Sequence, residues 1–349
     1  MDEKITTVIG TPNIALIKYW GKRDEHLNLP TNSSLSITLD ERLSTLTSVL
    51  FSERIRKDTL YLNGQQQDLI PENGKMGSIM EVIGKMRSLS AVKLPILIVS
   101  KNSFPTSSGL ASSASGAATL VTAISHSLGL GLSQRELSVF ARQISGSGSR
   151  SLMGGFVKWN KGSADDGSDS YAEQVAPESH WPDVIDMVGV VTESKKLVSS
   201  SEGHKRTIDT SKLYKMRPQL AEESLTRLVE AIGQRDFETL AEITMRDSNN
   251  MHATMLDTYP PIMYPNDASR EIVHAIHKLN DSEGRCIAGY TFDAGANAHI
   301  ITLAKNAGKV REAIGPIVGD NIIEAGQGSG PRILGDQDSL IDLQKLLPK

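Results

Sequence analysis

Apolar residues recur along this chain in two rhythms. Residues 94–99 form a continuous apolar run that predicts a buried strand, and a small-residue helical run over 114–128 follows. Residues 7–10, 43–51 and 59–62 predict further strands, with Asn63-Gly64 as a hairpin turn after the last. Ser34 and Ser36 alternate with apolar neighbours, so 29–39 also reads as strand. Helical spacing covers 76–89, after a loop at 71–75. A second helix starts in 132–142, where Ser133 and Glu136 have the spacing of a capping box. Residues 162–169 read as a polar surface loop.

In the second half, 188–191 predicts a strand. A helix follows over 220–233, with 237–245 continuing its apolar face, and another spans 269–279. A strand beginning at Ala288 delivers Asp293 into a glycine-containing turn. The 349 residues exceed a usual single core. They predict two domains, divided near 185–195 and written here as 1–190 and 191–349.

Charge and composition narrow the function. A net charge of −4 gives no case for nucleic acid or an anionic membrane surface as partner. Cys286 has no second cysteine to pair with, so a reducing compartment fits. The first residues lack a basic and apolar leader pattern, and no apolar run reaches membrane-spanning length; a cytoplasmic protein is expected. His274 and His277 lie three apart without the other residues of a metal motif, so no structural metal site is expected.

Candidate chemistry centres on residues 102–116, Asn-Ser-Phe-Pro-Thr-Ser-Ser-Gly-Leu-Ala-Ser-Ser-Ala-Ser-Gly. Small residues admit a ligand close to the backbone, and a helix N-terminus attracts anions through its unpaired N–H groups. The stretch reads as a phosphate cradle or as a loop capping a packed helix. It is neither the Walker loop nor a dinucleotide Gly-x-Gly-x-x-Gly. Lys18 and Lys22 flank Tyr19-Trp20, and Lys18 follows an apolar run, so its ammonium must snorkel or meet an anion. Arg150 sits among small hydroxyl residues and either grips a carboxylate or phosphate or is simply solvated. Asp293 is a turn former or a reactive carboxylate. The basic, serine-rich run 195–206 suits a loop closing over a phosphorylated ligand, or a solvated surface.

Several of these stretches carry a family resemblance. Pro105, Gly109, Leu110, Ala111, Ser112, Ser113 and Ala114 match the loop of the GHMP small-molecule kinases. Residues 13–22, Asn-Ile-Ala-Leu-Ile-Lys-Tyr-Trp-Gly-Lys, resemble a signature of the mevalonate diphosphate decarboxylases. So do Ser145-Gly-Ser-x-x-Arg150-Ser-x-x-Gly-Gly-Phe156 and Asp293-Ala-Gly. The resemblance covers nearly the whole chain and implies a two-domain α+β GHMP fold with the site in the cleft between domains. It implies ATP-dependent decarboxylation of (R)-5-diphosphomevalonate to isopentenyl diphosphate, with ATP and Mg²⁺ as cofactors and a homodimer as the working unit. By the same resemblance Asp293, Lys18 and Arg150 are catalytic. Tyr19, Lys22, Ser145, Ser147 and Ser200 bind substrate, and Ser107, Ser108, Gly109, Ser112 and Ser113 hold the ATP phosphates.

Ser107-Ser108, Gln143-Ile144, His204 and Ala296 depart from the family pattern. They touch the phosphate-binding edges. This keeps three alternatives open: a decarboxylase of 5-phosphomevalonate, an ATP-independent decarboxylase of mevalonate 3,5-bisphosphate, and a kinase that only phosphorylates.

Overall fold

The computed structural model describes residues 4–69, 74–104, 112–191 and 197–343. In chain order, the first strands are β1 (Thr6–Gly10), β2 (Asn13–Ile17), β3 (Lys22–Asp24), β4 (Leu29–Pro30), β5 (Ser34–Thr38), β6 (Thr45–Phe51), β7 (Thr59–Leu62) and β8 (Gln65–Gln67). Helix α1 (Gly74–Ser88), strand β9 (Ile96–Asn102) and helices α2 (Ser112–Ser127) and α3 (Gln134–Ile144) follow. Strands β10 (Phe156–Trp159), β11 (Ala172–Ala176) and β12 (Val184–Gly189) lead to helices α4 (Ser200–Thr210), α5 (Arg217–Gln234), α6 (Phe237–Leu256) and α7 (Asp267–Glu283). The last elements are β13 (Ala288–Phe292), β14 (Ala298–Leu303), α8 (Ala307–Val318), β15 (Ile322–Ala325) and β16 (Arg332–Ile333). This is the α+β class that the resemblance implies. Among the described residues no helix is long and apolar enough to cross a membrane.

The strands form sheets in the orders β16-β1-β6-β9-β7-β8, β11-β10-β5-β2 and β13-β14-β12-β15, with β3-β4 as a separate pair. β7 runs parallel to β9. At the β7–β8 hairpin, Asn63 and Gly64 take φ values of 49° and 79°, as the Asn-Gly pair predicts. β12, which precedes residue 190, belongs with β13–β15, while β16 returns to pair with β1 through Val8 and Ile333. The sheets therefore do not divide at a single point in the sequence.

Three expectations shift. Residues 237–245 do not extend the preceding helix. Arg235 takes φ 55° and ends α5, and Asp236 caps α6 by accepting the Thr239 N–H at 3.2 Å. The strand expected at 188–191 starts earlier, because residues from 184 pair with β14. The expected loop at 195–206 is largely helix α4: Ser199 Oγ accepts the Glu202 N–H at 3.2 Å, a cap hidden in the basic run. Lys195 and Lys196 lie outside the described residues.

Packing fixes where strand ends meet. Val82, Ile83, Val121 and Ile124 of α1 and α2 bury against Val8, Val49 and Ile98 of the six-stranded sheet. Ile14, Leu16 and Ile17 of β2 share one core with Leu225 and Leu228 of α5, Leu240 and Ile243 of α6, and Ile301 of β14. Each such side chain contributes roughly 1.5–3 kcal/mol on burial. That shared core ties the end of β2 to the sheet that carries β13.

Candidate active site

All five residues of β2 are buried, and its register with β5 shifts between Ala15 and Ile17. A shift of this kind re-aims the side chains beyond it. Lys18 leaves the strand end almost wholly buried and meets Asp293, with Nζ 2.6 Å from Oδ1. Their side chains are 2 % and 32 % exposed. Burial pushes the Lys18 ammonium below its usual range, and the Asp293 carboxylate opposes that shift. Asp293 itself follows the buried strand β13, and its carbonyl accepts the Gly295 N–H at 2.8 Å. The turn-former role and the pairing role coexist.

Arg150 lies in a short 3₁₀ turn, Gly146–Leu152, and is buried. Its Nε donates to Asn13 Oδ1 at 3.2 Å and its Nη1 to Ser34 Oγ at 2.6 Å. Asn13 is oriented in turn, donating to the Ser147 carbonyl at 3.0 Å and to Ser151 Oγ at 2.8 Å. Burial pushes the guanidinium down to about 10, with Asp293 opposing, so it stays cationic at neutral pH. Both partners that orient it are neutral. Such a buried cation favours an incoming anion.

Tyr19 packs its ring at 4.8 Å from Trp159 and 4.6 Å from His204, measured between centroids. Its hydroxyl is buried and makes no hydrogen bond among the described residues. Buried hydroxyls rarely stay unpaired, so this one suits a ligand. Close by, the hydroxyls of Ser113, Ser145 and Ser147 form a row with spacings of 3.3 and 3.4 Å. Ser145 ends α3, and Ser113 lies in the first turn of α2.

Ser112 and Ser113 also line a cavity of about 90 Å³. Leu60, Met76, Ile79 and Ile98 form its apolar wall, and Asn102 and Ser100 supply polar groups. An apolar slot opening onto a helix N-terminus fits a nucleoside with its phosphates at the helix end. Ser107, Ser108 and Gly109 lie outside the described residues.

Lys22 and Ser200 lie on two other elements, β3 and α4. Lys22 opens β3, half-buried, and burial lowers its ammonium. Ser200 opens α4, half-buried, where helix N–H groups are unpaired. α4 is anchored to the Tyr19–Lys22 segment by His204, whose Nδ1 accepts the Gly21 N–H at 2.8 Å, and by the Trp20 indole, which donates to Thr207 at 3.1 Å. The His204 ring lies 4.2 Å from Trp20, and burial pushes its pKa down to about 3. It is a neutral acceptor at ordinary pH.

The structure adds Asn13, Ser34, Arg217 and Asp247 to the site. Asn13 lies inside the 13–22 stretch that resembles the family, and Ser34 inside the strand read over 29–39. Arg217 carries no sequence signal. Only the fold brings it to Asp247, with Nη1 2.7 Å from Oδ1.

A family model described as the diphosphomevalonate decarboxylase-like N-terminal domain matches residues 10–172. Another, the mevalonate 5-diphosphate decarboxylase C-terminal domain, matches residues 186–332. The chain is 47 % identical to the diphosphomevalonate decarboxylase of Aspergillus fumigatus over 326 residues, 90 % of this chain and 81 % of the relative. It is 45 % identical to that of Saccharomyces cerevisiae over 314 residues, 87 % and 79 % of the two chains. Among solved structures, mevalonate diphosphate decarboxylase from Trypanosoma brucei superposes with a TM-score of 0.88 at 34 % identity, covering 97 % and 100 % of the chains. One described as MDDEF in complex with MVAPP, AMPPCP and magnesium gives 0.86 at 34 %, covering 95 % and 99 %.

Proposed function

The chain belongs to the diphosphomevalonate decarboxylase family, and on that premise we propose that Lys18, Asp293 and Arg150 carry out its reaction. The reaction is the ATP-dependent decarboxylation of (R)-5-diphosphomevalonate to isopentenyl diphosphate, a carboxy-lyase step of the mevalonate pathway. The single observation that carries the assignment of roles is the 2.6 Å Lys18–Asp293 pair beside the buried Arg150 cation.

The tertiary 3-hydroxyl is a poor leaving group, and transfer of the ATP γ-phosphoryl group makes it a good one. Asp293 orients that hydroxyl and takes its proton as the O–P bond forms. The Lys18 ammonium offsets charge on the transferring group. When the 3-phosphate leaves, C3 becomes electron-poor. The C1–C2 bond electrons then form the C2–C3 double bond as CO2 departs. Arg150 holds the carboxylate in line for that step, a positioning effect. ADP, phosphate and CO2 are the other products, one of each per turnover.

Tyr19, Ser145, Ser147, Lys22 and Ser200 are the substrate-binding groups of this proposal, supported by the unpaired Tyr19 hydroxyl and the serine row. The α2 N-terminus with Ser112 and Ser113 holds the nucleotide phosphates. Among the described residues no group of three or more His, Cys, Asp or Glu side chains could hold a metal ion. Mg²⁺ would be held by the nucleotide phosphates and the Ser112 and Ser113 hydroxyls, where it spreads phosphoryl charge. A division into two domains near residue 190, a cytoplasmic location and a homodimeric state belong to the same proposal and are supported by the family resemblance.

CO2 release tests the reading. The protein is supplied with 5-diphosphomevalonate, 5-phosphomevalonate or mevalonate 3,5-bisphosphate, each with and without ATP. Release from the diphosphate only with ATP, with equimolar ADP, supports it. ADP without CO2, or CO2 from the bisphosphate without ATP, contradicts it.

A further inference from the structure

The stretch 247–252 lies on α6 directly behind the Lys18–Asp293 pair. Asp247 Oδ2 accepts the main-chain N–H of Lys18 at 2.7 Å. Arg217, on α5, donates to both Asp247 oxygens, at 2.7 and 2.9 Å, and to the Lys18 carbonyl at 3.2 Å. Asn32 Nδ2 donates to the same carbonyl at 3.1 Å. One residue along α6, Ser248 Oγ accepts the N–H of Phe292 at 3.0 Å, and Phe292 precedes Asp293. One turn further, His252 Nε2 lies 3.3 Å from the Phe292 carbonyl. Both main-chain groups of Lys18 and both of Phe292 are thus fixed by side chains from neighbouring helices, chiefly α6.

We propose that Asp247, Ser248 and His252, backed by Arg217, are positioning residues: a bracket that sets the separation of Lys18 and Asp293 by holding the main chains that carry them. The proposal rests on the catalytic roles assigned above. β2 and β13 lie in different sheets, so no strand pairing sets the distance between their ends. A single helix that bonds to both does so, and errors of about 1 Å in such a pair are costly to catalysis.

The Arg217–Asp247 pair is buried, each side chain 1 % exposed. Buried ion pairs add little net stability, because desolvation offsets attraction. Here the pair engages the Lys18 main chain at both its N–H and its carbonyl. Asp247 also favours the protonated Lys18, together with Asp293 and against burial and the Arg150 charge. His252, the remaining titratable group against Phe292, is pushed down to about 4 by burial and is neutral at ordinary pH.

Ser248→Ala, Ser248→Thr and Asp247→Asn test the bracket, each assayed for melting temperature, KM for both substrates and kcat against pH. Ser248→Ala is expected to lower kcat about tenfold while both KM values hold, and Ser248→Thr to restore most of it. Asp247→Asn is expected to move the alkaline limb of kcat to lower pH, because Lys18 loses a neighbouring negative charge. Wild-type kcat and pH profile in Ser248→Ala and Asp247→Asn, with only the melting temperature lowered, would overturn the bracket. Should Asp247→Asn not fold, the Ser248→Ala and Ser248→Thr pair decides alone. Lys18→Met and Asp293→Asn are run alongside. If those two stay active, the catalytic roles themselves fail; if they are inactive while the bracket variants match wild type, only the bracket fails.

Discussion

Lys18 and Asp293 stand 275 positions apart in the chain and 2.6 Å apart in the fold. The contact joins the end of a strand in one sheet to the turn after a strand in another. It brings a cation that burial destabilises against the carboxylate that sustains it. Three consequences for the site are measurable before the pair itself is removed.

Arg150→Lys tests the planar grip. One ammonium cannot both span Asn13 and Ser34 and present further donors to a carboxylate. The expected result is a kcat lower by ~100-fold with a smaller change in the KM for ATP. Steady-state kinetics of CO2 release reads both.

Gly116→Leu tests the nucleotide slot. Gly116 lines the cavity on α2, and a Cβ there meets no atom within 4 Å, so the branch point of an added side chain is accommodated and the rest projects toward the cavity. The KM for ATP should rise about tenfold or more, equivalent to about 1.4 kcal/mol of lost binding. Titration of a fluorescent nucleotide checks the affinity directly. The melting temperature should hold or rise, since a helical glycine is replaced.

Acid stability tests His204. Its folded pKa, about 3, lies below the ordinary value of 6.5, so the unfolded chain binds more protons between them. Stability is full above 6.5 and is lost as pH falls towards 3. Between pH 7 and pH 5 the loss from this residue is about 2 kcal/mol. Denaturant unfolding at the two pH values measures it. His204→Asn keeps an acceptor but does not titrate, and should show a correspondingly smaller loss. His252, pushed to about 4, acts in the same direction in both proteins.

Much of the site was legible in the sequence because its chemistry is local. The 13–22 segment, the Ser145–Arg150 turn and Asp293-Ala-Gly each announce small residues and charges in a fixed order. β2 is legible only as an apolar run ending in a lysine that must snorkel or meet an anion, and the fold supplies the anion as Asp293. What the residues did not disclose is the long-range pairing. Arg217 precedes the helix read over 220–233 and carries no signal until the fold packs it against Asp247. The α4 cap is concealed by its basic neighbours, which give Ser199 and Glu202 the look of a loop. The serine alternation of β5 marks a strand but not its surroundings: all five of its residues are buried, the serines included. There Ser34 holds Arg150 and Thr38 donates to the Met153 carbonyl at 2.7 Å.

The most direct test of the central pair compares wild type, Lys18→Met and Asp293→Asn for CO2 and ADP formed from 5-diphosphomevalonate and ATP, with nucleotide affinity measured in the same preparations. The account predicts near-normal nucleotide binding in Asp293→Asn, with both products reduced together by several orders of magnitude, on the order of 10³-fold or more. Lys18→Met should likewise lose both products together. Wild-type turnover in either variant would contradict the roles given to the pair. ADP formation without CO2 in Asp293→Asn would show that the carboxylate acts after phosphoryl transfer rather than in it.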